Sequence, residues 1–177
     1  MKRKRIIATA LVLLIAMASL LAATKFTSEN WHDDIGTGKT VKSAVSSPVD
    51  MTITTSDGKS SDGTVILRFF RTKNGPALAF FFQNKGSDSF MKFSKREPIE
   101  MAIKLDYGRT VRMNPEHMFD NCPITLQDHD MRYVFNQFKN CKFLDITVKA
   151  ETTGTTYAFH IEYDKDKFIK TVSEIID

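Results

Sequence analysis

The sequence has two cysteines in 177 residues, and they are not at C-x-x-C spacing. That excludes a dithiol redox centre of the thioredoxin kind. No G-x-S-x-G stretch is present to form a nucleophile elbow. The four histidines, His32, His117, His129 and His160, include no pair four residues apart, so the helical ligand pair of a zinc site is missing. The chain shows no internal repeat and no low-complexity stretch, which excludes stacked-repeat architectures. Charge is absent altogether from Ile6 to Ala23, a run of 18 residues.

That uncharged run follows the basic cap Lys2, Arg3, Lys4 and Arg5 and ends in the small residues Ala22 and Ala23. A basic flank, an apolar run and a small-residue end describe an export signal. Leu20 or Leu21 occupies the place where signal peptidases prefer a second small residue. With no cysteine near the end of the run, a lipid-anchored precursor is disfavoured. A membrane helix needs about 20 apolar residues and tolerates about 17, so residues 6–23 also fit a retained anchor. A cleaved signal over residues 1–23 is the favoured expectation. In either case Trp31 onward lies outside the cytoplasm, in a periplasmic or secreted domain or one anchored to the inner membrane.

Charge bookkeeping agrees. Four of the 25 lysines and arginines belong to the cap, leaving 21 against 21 aspartates and glutamates. The sequence pI near 9.0 thus describes the leader, and the remaining domain offers no electrostatic footprint for nucleic acid.

The stretch Trp31 to Thr40, "WHDDIGTGKT", ends like a phosphate-binding loop. Such a loop reads G-x-x-x-x-G-K-[ST] and links a buried strand to a helix. Gly38, Lys39 and Thr40 fit its end, but Asp33 stands where the first glycine belongs and would repel phosphate. Ser28 to Asp34 is polar and gives no strand, and Thr40 to Ser43 opens no clear helix. Residues 24–47 are therefore expected to be a flexible lead-in to one domain over 48–177. That unit can bury about two thirds of its unfolded surface.

Several stretches alternate with period two. Ile99, Met101, Ile103 and Leu105 share one face; Leu144, Ile146 and Val148 another; Tyr157, Phe159, Ile161 and Tyr163 a third. "TVILRFFR" and "ALAFFFQ" are more continuously apolar, as central strands are, with Asn74-Gly75 as the turn between them. Asp57-Gly58 and Asp62-Gly63 are expected to bracket another turn, and Tyr107-Gly108 separates Leu105 from "RTVRM". The aromatic run around Asn74 is expected to be core, with an exposed partner surface as its rival. Lys92, Phe93, Lys95 and Arg96 alternate basic and aromatic residues and are expected to be solvated surface.

Two later stretches follow the helical period. Met131, Val134, Phe135 and Phe138 form one stripe, with Asp128 or Asp130 as the expected cap and Lys139 near the end. Phe168, Ile169, Val172, Ile175 and Ile176 form the second, capped by Asp164. The expected fold is therefore α+β: an antiparallel sheet or sandwich-like β domain with two late amphipathic helices. In an exported chain, Cys122 and Cys141 are expected to form a disulfide, closing a loop of about 20 residues worth about 3 kcal/mol on the chain-entropy account.

No catalytic, cofactor or metal site is expected. His32 with Asp33 and Asp34, or His129 with Asp128 and Asp130, supplies too few ligands at no defined spacing. Glu97 and Glu100 are the carboxylates a sugar hydrolase would need, but nothing in their surroundings marks them.

The order of features resembles small exported bacterial proteins that accompany secretion and virulence systems. The residues that carry it are Trp31, Asp33, Asp34 and Thr37-Gly38 soon after the leader. Then come Leu67 to Phe69, Lys104 to Asp106, and a helix–strand–strand–helix order to the end. This pattern is similar to the type VI secretion-associated VasI-like proteins, and Met131 to Ile176 also resembles the invasion-associated locus B family. The early cysteine pair of the second family is absent here. The resemblance implies a non-catalytic exported domain that acts by binding a protein of the cell envelope or a host, and supplies no catalytic residues. The alternative reading is an envelope hydrolase, or an inhibitor of one such as a lysozyme inhibitor. No cofactor is expected.

Overall fold

The computed structural model describes residues 23–32, 39–94, 96–115 and 123–176. Period-two alternation builds most of them. The strands are β1 (Phe26–His32), β2 (Thr40–Ser46), β3 (Val49–Thr54), β4 (Ser60–Thr72), β5 (Gly75–Asn84), β6 (Ile99–Leu105), β7 (Thr110–Met113), β8 (Ile124–Gln127), β9 (Phe143–Ala150) and β10 (Thr155–Glu162). Helix α1 (Asp128–Asn140) follows β8 directly, and α2 (Lys165–Ile176) closes the chain. The domain is an antiparallel α+β sheet with two late helices, as the patterning implies.

The strands form one sheet in the order β1-β2-β4-β3-β10-β9-β6-β7, with β5 on the other edge of β4 and β8 beyond β5. β4 is long enough to pair with β3 through its first half and with β2 through its second. Between those two registers Ser46, Ser47 and Pro48 stand opposite only Ile66 and Leu67, a bulge that bends the β2–β3 strand. Pro48 has no N–H for the ladder, and the Leu67 N–H donates instead to Ser46 Oγ at 2.9 Å. The bend sends β1 and β10 along the same edge of the continuous β2–β3 strand, where the Thr24 N–H donates to the Glu162 carbonyl oxygen at 2.6 Å.

The sheet curls around its inner face. β5 and β10 are three strands apart, about 14 Å in a flat sheet, yet the rings of Phe82 and Tyr157 meet at 5.1 Å. Val65, Leu67, Phe69, Leu78, Phe80, Met101, Ile103, Leu144, Val148 and Ile161 fill this face and are fully buried. The helices lay their stripes on it. Met131, Val134, Phe135 and Phe138 of α1 are buried, as are Phe168, Val172, Ile175 and Ile176 of α2. The two helices meet where Phe138 stacks on Phe168 at 4.9 Å, with Phe69 edge-on to both rings at 5.9 and 5.7 Å. Burying one such ring fully contributes about 1.5–3 kcal/mol.

Several local expectations are corrected. The segment 24–47 is not merely a lead-in, because β1 and β2 occupy much of it and pair without a break from Phe26↔Ser46 to His32↔Thr40. β1 is polar in the middle and anchored at its ends. Phe26 packs inward on Phe168 at 4.8 Å, and Trp31, five residues on and so on the opposite face, packs outward on Phe70 at 5.0 Å. Asp62-Gly63 forms no turn: Gly63 lies within β4, opposite Met51 and Asn84. The real turn comes earlier, where the Gly58 N–H donates to the Thr55 carbonyl oxygen at 2.9 Å. In the β4–β5 hairpin Thr72 pairs with Gly75, so the two-residue loop is Lys73-Asn74 and Gly75 follows it.

The α1 start differs as well. Its N-cap is Gln127, with no side-chain cap bond, because Gln127 is still paired with Ala77 in the β8 ladder when the helix begins. Asp128 and Asp130 sit in the first turn, where they favour the helix dipole without capping it. Asp164 does cap α2, accepting the Lys167 N–H at 3.2 Å. That N–H and the Lys167 ammonium hold its carboxyl below the usual carboxylate range.

Candidate binding surface on the outer face of the sheet

Alternation that puts Phe69, Leu78, Phe80 and Phe82 inward puts Arg68, Phe70, Ala77, Ala79 and Phe81 outward, away from both helices. On a solvated face this much apolar surface needs a cover. Phe70, Ala77 and Ala79 are fully buried in a second small cluster, with Trp31, Val41 and Phe81 half-buried against them. Phe81 meets Trp31 at 6.2 Å and Phe90 at 5.2 Å, and Phe90 remains 44 % exposed.

Arg68 lies at the centre of this cluster. Its guanidinium sits 4.7 Å from the Trp31 ring centroid and 5.9 Å from that of Phe81. Nη1 donates to Glu29 Oε1 at 2.6 Å and to Ser43 Oγ at 2.9 Å. Its Nε is buried without a hydrogen-bond partner. Glu29 neutralises the charge, so the patch presents aromatic surface around a compensated cation.

Further along the same face the sheet forms a groove of about 570 Å³ over β3, β9 and β10. Asp50, Thr52, Asp62, Thr64, Lys85, Asp145, Thr147 and His160 line it. Lys85 Nζ is 3.2 Å from Asp62, and His160 Nδ1 is 2.7 Å from Asp145 Oδ1. The His160 ring also lies 5.2 Å from that of Phe143. Asp50 is exposed and has no polar partner among the described residues. Three carboxylates thus face one ammonium and one imidazole. Among the described residues no hydroxyl or thiol is hydrogen-bonded to His160, so the His–Asp pair stands without a positioned nucleophile.

The candidate residues of the sequence fall apart in space. Glu97 accepts the Thr152 N–H at 2.8 Å, and Glu100 is bound by Arg112 on the β6–β7 hairpin. The two carboxyls are used in local structure and do not converge on a cleft. His129 is exposed beside Asp130 at 3.4 Å. His117, Asp33, Asp34 and the residues of the apparent phosphate loop up to Gly38 lie outside the described residues. Thr40 begins a strand rather than a helix. Among the described residues no three His, Cys, Asp or Glu side chains group as metal ligands. Phe93 is buried in the main core while Lys92 and Arg96 are exposed.

Cys141 is buried at the end of α1, where its N–H donates to the Gln137 carbonyl oxygen at 3.0 Å. Its expected partner Cys122 lies outside the described residues, as does the run Met1–Ala22. Among the described residues no helix is long and apolar enough to cross a membrane.

The sequence places the aromatic run around Asn74 in the core and keeps an exposed surface only as its rival, and it does not bring Trp31, Arg68 or Phe90 to that surface. Its signal was the odd spacing of Phe69, Phe70, Phe80, Phe81 and Phe82, which forces aromatic rings onto both faces of a hairpin. No protein-family model matches the chain, and neither a curated protein nor a solved structure matches it.

Proposed function

We propose that the chain is an exported, non-catalytic recognition domain that binds a protein partner with the outer face of its sheet, as an accessory of a cell-envelope or secretion system. The observation that supports this reading is the pair Trp31 and Phe81 around Arg68, with Phe90 beside Phe81, on the face opposite both helices. Aromatic and arginine side chains of this kind dominate the energetics of protein interfaces. Trp31 and Phe81 stand on strands of the sheet and Phe90 is bridged to Gln83 of β5, so little ordering entropy is lost on docking. The envelope setting rests on the basic cap and uncharged run at residues 2–23 and on the pattern-level resemblance to VasI-like proteins. The mature domain is then periplasmic or secreted, or held at the inner membrane by residues 6–23.

Crosslinking and affinity capture of the tagged full chain from its own envelope tests this reading. The comparison is with the double variant Trp31→Ala, Phe90→Ala, and intact mass is recorded on the same samples. The expected result is one reproducible protein partner that the variant loses while it still folds. A partner retained by the variant, or a copurifying glycan in place of a protein, overturns the reading. The mass shows whether the leader is removed.

A further inference from the structure

The patch and the groove lie on one face and on one strand. Phe70 and Arg68 belong to the patch, Thr64 and Asp62 belong to the groove, and Ile66 stands between them with its cross-strand partner Phe81. The six steps of β4 from Phe70 to Thr64 span about 20 Å at strand rise. An extended segment of about seven residues would cover both.

The two ends differ in charge. At the patch Arg68 is neutralised by Glu29. In the groove Lys85 offsets Asp62 and His160 faces Asp145, which leaves Asp50 as the carboxylate without a partner among the described residues. Asp50 pairs in register with Thr64, so it stands beside β4 at the end of the groove nearer the patch. Like charge against like is strongly disfavoured at an interface, so an acidic segment is excluded from the groove and a basic one is drawn to it.

We infer that the outer face docks an extended segment of the partner protein that carries lysine or arginine opposite Asp50 and an apolar side chain four to six residues away against Trp31 and Phe81. This rests on the protein-binding reading above and adds the partner's chemistry and its direction along β4. Beside Lys85 and His160, which are held by Asp62 and Asp145, the groove offers threonine hydroxyls and the Asp50 carboxylate, which accept from an ammonium or guanidinium.

The test uses a displayed library of random octapeptides selected on the full chain. Expected are enriched peptides with a basic residue separated by four to six positions from an aromatic or aliphatic one. Their binding should weaken about tenfold in Asp50→Lys and by a similar factor between low and high salt. Asp50 is exposed, so this variant keeps the fold, and its melting temperature confirms that. Enrichment of acidic or uncharged peptides, binding indifferent to Asp50→Lys, or no enrichment overturns the inference. Uncharged peptides that still need Trp31 overturn it while leaving partner binding intact, and the capture experiment decides that reading separately.

Discussion

The Tyr163 phenol donates to the Phe138 carbonyl oxygen at 2.7 Å and reaches the Cys141 carbonyl oxygen at 3.2 Å. The last carbonyls of a helix have no partner within it, and here a side chain from the end of β10 supplies one inside the core. Tyr163 therefore ties the C-terminal end of α1 to the strand that leads into α2. Its ring also packs against Phe138 and Phe168, at 5.1 and 5.2 Å.

Tyr163→Phe keeps the ring and removes the donor. Two carbonyls in the core then lose their side-chain partner. The expected loss is about 1–3 kcal/mol, the range for an unsatisfied buried acceptor. Urea unfolding should show a lower midpoint with an unchanged slope. An unchanged midpoint would mean that water reaches the helix end.

The same phenol sets an alkaline limit. Burial pushes Tyr163 far above the ordinary tyrosine range, with the Asp106 charge adding to it, and Tyr157 is raised mainly by burial. A group with a raised folded pKa contributes stability that is fully present below its unfolded value, about 10 for tyrosine. That contribution is lost as pH rises from there toward the folded value. Stability should thus fall above about pH 10, by up to about 1.4 kcal/mol per pH unit for each such group. Thermal melts from pH 8 to 11 check this. Tyr163→Phe should flatten the decline, and an equally steep decline would exclude Tyr163 as its source.

Gly63 is held by space rather than by backbone angle. A Cβ there would lie 2.6 Å from the Gln83 carbonyl oxygen and 2.7 Å from Met51 Cε. The Met51 tip can move, but the β5 backbone cannot move without breaking its ladder. Gly63→Ala is expected to cost about 1–3 kcal/mol, as overpacking does. A melting temperature within one degree of wild type would show that β4 and β5 separate freely at that end.

These residues also show what sequence patterning reaches. The alternation of Ile99 to Leu105, Leu144 to Val148 and Tyr157 to Ile161, and both helical stripes, were legible because burial on one face leaves a local period. Gly63 was not, since glycine in a strand and glycine in a turn look alike until the neighbouring strand is known. β1 was illegible for a related reason: its middle is polar, and its strand state comes from pairing with β2 and from Phe26 and Trp31 meeting partners far along the chain. The capping role of Asp164 was legible, whereas those of Asp128 and Asp130 failed because β8 runs into α1 with no linker. The outer patch needed Trp31, Arg68, Phe81 and Phe90 together, and no local window contains them.

The outer patch makes a last prediction, because a surface kept for a partner should matter less to stability than the core beneath it. Phe69 is fully buried and touches Phe135, Phe138 and Phe168, so Phe69→Ala should cost about 3–5 kcal/mol. Trp31 is half-buried at the end of β1, on the far side of the sheet. Its ring covers Phe70 and stacks with Arg68, so Trp31→Ala removes packing and one cation–π contact of about 0.5–2 kcal/mol without opening a core cavity. Urea unfolding should place its loss well below that of Phe69→Ala, while partner capture falls only for Trp31→Ala at matched folded fraction. If Trp31→Ala instead unfolds the domain as Phe69→Ala does, the second cluster is a structural lid on Phe70. The recognition surface would then have to lie nearer the groove.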